Sequence, residues 1–214
     1  MNYIKDELQH IILRDGQAGE TNQLKKIQNF LRRHAQTSFV SEKQQQFQGK
    51  ETAAILAFAS GENLFYEQAI SESNFLGEGA EQRVYRLDDT RVIKTNSGIF
   101  YQFWLDYFNS LLVHNFFFPA TAYSFLGLKI IGGELHTVVE QEFIVASEQT
   151  SLDVVKKFLK YNGFENTRNN DYVNRDLGLI FEDLHDENVL SNKGVLFFVD
   201  TVFYLTSDFY TKIP

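Results

Sequence analysis

The chain has 214 residues, 28 of them acidic and 20 basic, a net charge of -8, 15% aromatic residues and no cysteine. That length supports one main hydrophobic core plus a small appendage. The acidic balance argues against a protein that coats nucleic acid, because phosphate backbones reward clustered Lys and Arg. Lack of cysteine excludes disulfides, thiolate metal sites and cysteine nucleophiles, and fits a reducing compartment. No apolar run approaches the roughly 20 residues of a membrane-spanning helix and no export signal opens the chain, so the expectation is a cytoplasmic protein with no membrane or nucleic-acid partner.

In chain order, residues 1–70 read as helical. Ile4, Leu8, Ile11 and Ile12 recur at helix spacing, then Leu24, Ile27, Phe30 and Leu31, then the apolar stretch around residues 53–58. Gly16, Gly19 and Thr21 punctuate the first two helices, and the glutamine-rich residues 43–48 suit a loop or an exposed helix start. Lys25, Lys26, Arg32 and Arg33 read as the wet face of the second helix. From about residue 72 the texture changes to short strands with glycine turns. Residues 99–113 form a helix apolar nearly all round, which implies packing on several sides. A carboxylate in such surroundings, Asp106, calls for a cation, and Lys94 is the first candidate. Residues 138–144 have strand character; residues 151–161 read as the next helix, with Ser151 as N-cap and Gly163 as its stop.

The chemistry concentrates near the C-terminus. Asp183-Leu184-His185-Asp186-Glu187-Asn188 is followed after a short spacer by Phe197-Phe198-Val199-Asp200. Asn188 and Asp200 offer the hard oxygen ligands that Mg²⁺ prefers beside a phosphate chain, and Asp183 stands on the same loop to accept or orient the proton of an attacking hydroxyl. Apolar runs on either side read as short buried strands that fix the loop. His185 is given an orienting role, and His114, leading into Asn115-Phe116-Phe117-Phe118-Pro119, reads as a buried cap or turn.

These segments resemble the catalytic loop and metal-binding strand of the protein-kinase-like superfamily, in the Asp-Leu-His-x-x-Asn form of aminoglycoside and choline kinase-type enzymes. Gly77-Glu78-Gly79-Ala80-Glu81-Gln82-Arg83-Val84-Tyr85 resembles a glycine-rich loop, and Arg91-Val92-Ile93-Lys94 the strand that follows with its phosphate-binding lysine. Together with residues 114–119, the chain is most similar to the Ser/Thr/Tyr kinase-like domain of bacterial polyvalent proteins of mobile elements. The resemblance implies an α+β fold with a small antiparallel-sheet N-lobe over about residues 71–142, a reduced C-lobe over about 143–214, and a helical extension over 1–70. It implies ATP and Mg²⁺ as cofactors and an unidentified acceptor, with a protein partner as a further option. Gly77, Gly79, Val84 and Lys94 are then placed on the nucleotide, Gln141 and Phe143 at the adenine hinge, Asp183, Lys94 and Asp106 in catalysis, and Asn188 and Asp200 on the metal.

The pattern departs from the family at Gln82, in place of a third glycine, at Phe181, in place of a histidine, and at Asp106, in place of a glutamate. Thr201 and Val202 follow Asp200, and nothing resembling an activation segment precedes Pro214. A kinase-like module with impaired catalysis, binding nucleotide or another protein, is the alternative. A metallohydrolase built on Asp183, His185, Asp186 and Asp200 is the third reading.

Overall fold

A computed structural model describes residues 2–15, 22–38, 45–79 and 82–211. Gly16, Gly19, Thr21, Lys43, Gln44, Ala80, Glu81 and Pro214 lie outside the described residues. The architecture mixes helices with antiparallel sheets and divides into two compact units. One comprises residues 15–108 and 123–143, the other residues 1–14, 109–122 and 144–214. Among the described residues no helix is long and apolar enough to cross a membrane.

The first unit holds helices α2 (Gln23–Ser38) and α3 (Gln45–Glu62) and strands β1 (Phe75–Glu78), β2 (Gln82–Arg86), β3 (Arg91–Asn96), β4 (Ser124–Ile131) and β5 (Glu134–Glu142). The strands form one antiparallel sheet in the order β1-β2-β3-β5-β4. Strand β3 is central and buried at every position after Arg91, as its run Val92-Ile93-Lys94-Thr95 demands. Gly132 and Gly133, at φ 62° and 89°, make the two-residue turn between β4 and β5, a conformation that glycine adopts without steric cost. The α2 face carrying Leu24, Ile27 and Leu31 is buried, and Phe30 stacks on Phe58 of α3 with centroids 4.1 Å apart. A chain segment after α3 joins β4: the Leu128 N–H donates to the Leu64 carbonyl and the Tyr66 N–H to the Leu128 carbonyl, each at 2.8 Å.

Helix α4 (Trp104–Phe117) begins in this unit and continues into the other. It starts later than the expected 99–113 and ends later. Gly98 at φ 66° turns the chain ahead of it, and Ile99 and Phe100 stay exposed. Pro119 ends it, by disfavouring helical backbone at Phe118.

The second unit contains α1 (Asn2–Leu13), the rest of α4, α5 (Leu152–Tyr161) and six short strands: β6 (Glu165–Arg168), β7 (Asp171–Asn174), β8 (Leu179–Glu182), β9 (Val189–Asn192), β10 (Val195–Phe198) and β11 (Val202–Leu205). They form an antiparallel sheet in the order β11-β8-β7-β6 and a hairpin of β9 with β10. Ser151 occupies the N-cap of α5 without a side-chain cap bond, and Gly163 follows its end at φ 80°. Helix α1 lies along the C-terminal residues, where Lys5 Nζ donates to the Asp208 carbonyl at 2.7 Å. Aromatic rings form the core: Phe181 stacks on Phe203 at 4.0 Å and Phe118 on Phe198 at 4.2 Å.

Candidate active site

In the second unit, β8 ends at Glu182 and the loop to β9 carries the acidic and amide side chains. Asp183 sits at φ 63°, a left-handed conformation that aspartate tolerates better than most residues and that often marks a functional position. Its N–H donates to Asp171 Oδ1 at 3.3 Å, and the next residue, Leu184, is buried and donates its N–H to the Asn170 carbonyl at 3.2 Å. The loop is therefore pinned from below while the Asp183 side chain remains 62% exposed.

Asn188 gathers the loop. Its Nδ2 donates to the Asp183 carbonyl at 2.8 Å and to Asp183 Oδ2 at 3.1 Å, and lies 3.1 Å from His185 Nε2. His185 Nε2 is also 3.4 Å from Asp183 Oδ1. With Nδ2 turned to Asp183, Oδ1 of the same amide faces the other way. The Asn188 carbonyl accepts from the N–H of Val199 at 2.9 Å and of Asp200 at 3.4 Å, so Asn188 and Asp200 are joined through their backbones. An amide oxygen and a carboxylate are both hard oxygen donors, the kind Mg²⁺ takes alongside water and phosphate oxygens. Burial, then the charges of Asp171 and Asp183, push the neighbouring Glu182 carboxyl up, against the pull of Arg168. Among the described residues no three or more His, Asp or Glu side chains gather to hold a metal, so the hydrolase reading gains no fuller ligand set.

In the first unit, strand register aligns three of the expected nucleotide residues. Gly77 pairs with Val84, and Val84 with Lys94, so the three lie side by side on one face of the sheet. A Cβ added at Gly77 or Gly79 would enter open space, which leaves their backbone open to close approach by a ligand. Neither glycine has positive φ. The Gly79 N–H donates to the Gln82 carbonyl at 2.8 Å. Lys94 is buried at 5% exposure, with Nζ 5.5 Å from the Tyr123 ring centroid. Gln141 is buried opposite Val92, and Phe143 donates its N–H to the Thr90 carbonyl at 2.6 Å while its ring lies under the Arg86 guanidinium.

Asp106 stands in the first turn of α4. Burial pushes its carboxyl up to about 6, opposed by the Phe103 N–H bond. Through that bond it serves the start of its own helix, where the first N–H groups lack partners. Sequence reasoning missed its companion, Glu51 of α3, whose Oε2 accepts the Trp104 N–H at 2.7 Å. Burial pushes Glu51 up to about 7, opposed by the Trp104 N–H and raised further by the charge of Asp106. No local pattern announced it, since the capping residue stands 53 positions before the helix it caps.

The model of the family described as Serine/Threonine/Tyrosine Kinase found in polyvalent proteins matches residues 48–207. The chain belongs to that family, and its kinase-like motifs at residues 77–94 and 183–200 fall inside the match. The match opens within α3, the helix that carries Glu51. No curated protein and no solved structure matches the chain.

Proposed function

We propose that the protein is an ATP- and Mg²⁺-dependent phosphotransferase acting on a hydroxyl group. The observation that carries this reading is that Asn188 bonds Asp183 on their shared loop and, through its backbone carbonyl, the segment that carries Asp200. In this reading the sheet unit acts as the nucleotide lobe: the backbone at Gly77 and Gly79 approaches phosphates, Val84 meets the adenine ring, Lys94 neutralises phosphate charge, and the strand end from Gln141 to Phe143 runs along the base. Since Phe143 donates its N–H to Thr90, any base contact there falls to carbonyls or to neighbouring residues. Asn188 and Asp200 hold Mg²⁺, which when bound neutralises charge on the phosphates.

Asp183 orients the acceptor hydroxyl and takes its proton. The hydroxyl oxygen bonds to the γ-phosphorus, the bond from that phosphorus to the β–γ bridging oxygen breaks, and ADP leaves with the electron pair. Asn188 fixes the Asp183 carboxylate through Oδ2, and His185 flanks Oδ1, so the base is oriented before the acceptor arrives. One observation favours the second reading, a nucleotide-binding or protein-binding module without turnover: Asp106 is engaged at its own helix start.

ATP labelled on the γ-phosphate, offered with hydroxyl-bearing small molecules and with Ser, Thr and Tyr peptides, separates the two. Label transfer abolished by Asp183→Asn supports the phosphotransferase. ATP binding with no transfer to any acceptor replaces it by the module.

A further inference from the structure

We infer that His114 is a positioning residue for Asp200, holding the metal-bearing segment from helix α4; this rests on the phosphotransferase reading above. Residues 199–201 lie between β10 and β11 and belong to neither strand, so sheet hydrogen bonds alone do not set the direction of the Asp200 side chain. One side chain of α4 reaches this segment, and others from α4 and the turn after it hold the strand residues on either side. His114 is fully buried, and its Nδ1 lies 2.7 Å from Oγ1 of Thr201, the residue next to Asp200. Thr121 Oγ1 donates to the Phe198 carbonyl at 2.6 Å, and Ser110 Oγ accepts the Phe203 N–H at 2.9 Å.

The ring of His114 is itself oriented. Its Nε2 lies 2.8 Å from the Thr121 carbonyl, which can only accept, so Nε2 carries a proton. In a neutral ring Nδ1 is then the acceptor, and the Thr201 hydroxyl donates to it. One imidazole thus bridges the turn after α4 to the residue beside Asp200. Phe181, which stands where the resemblance places a histidine, cannot supply such a bond: its ring lies wholly within the aromatic core.

The test is Mn²⁺ uptake, read from the spectrum of free Mn²⁺, into the full chain with a non-hydrolysable ATP analogue. The variants are His114→Phe, Thr201→Val, the double variant, Thr201→Ser and Asp200→Ala, with thermal unfolding run on each. The expected result is a loss of about tenfold in Mn²⁺ affinity for His114→Phe and for Thr201→Val, the scale on which outer-shell partners of metal ligands act. The double variant loses no more than either single one, because both remove the same bond, and Thr201→Ser recovers most of what Thr201→Val loses. If His114→Phe fails to fold, Thr201→Val decides. A folded Thr201→Val that keeps wild-type Mn²⁺ affinity overturns the positioning role alone. Wild-type uptake no greater than that of Asp200→Ala overturns the metal site, and the positioning role with it.

Discussion

Glu51 accepts the backbone N–H of Trp104 at 2.7 Å, so a carboxylate of one helix caps the start of another. The favourable helix-end dipole and the burial cost oppose each other there, and burial wins: the carboxyl is pushed from 4.5 up to about 7. A group whose folded pKa is raised binds protons more tightly in the folded state. Its stabilising contribution is complete below pH 4.5 and is lost as pH rises through about 7. The shift corresponds to on the order of 3 kcal/mol across that window. Glu51→Gln removes the titration while keeping an acceptor for Trp104. We predict that the fall in unfolding temperature between pH 5 and pH 8 is smaller in Glu51→Gln than in the wild type.

Phe181 is 1% exposed and meets Phe203, Phe198, Phe118 and Phe164. Phe181→Ala leaves a cavity beneath the loop that starts two residues later. The expected cost is about 3–5 kcal/mol, measured as a lower midpoint of urea unfolding.

Gly178 lies at φ 71°, and a Cβ there would stand 2.1 Å from the Phe209 backbone nitrogen. Gly178→Ala must both strain the backbone and push the C-terminal turn away, for a loss of at least about 2 kcal/mol. Chemical unfolding of the variant measures it, and an unchanged midpoint would refute the close approach.

Legibility in the sequence differed by element. Local signals were readable: the helical spacing of Leu24, Ile27 and Leu31, the buried run at Val92 to Lys94, and the loop from Asp183 to Asn188 all carry their pattern within a few residues. Contacts between distant segments were not. Glu51 reaches Trp104 across 53 positions, and His114 reaches Thr201 across 87, with no periodicity linking them. His114 was readable as buried, yet its partner was hidden because burial alone does not say which segment a side chain holds. Helix α4 was misjudged at both ends because its apolar surface extends beyond the residues that Gly98 and Pro119 allow to be helical.

The most direct test is calorimetric titration of ATP with Mg²⁺ into the wild type, Lys94→Ala and Asp200→Ala. Saturable, metal-dependent binding to the wild type, lost in both variants, is the predicted result. No binding at millimolar ATP, or equal binding by all three proteins, would contradict the nucleotide site on which the account depends.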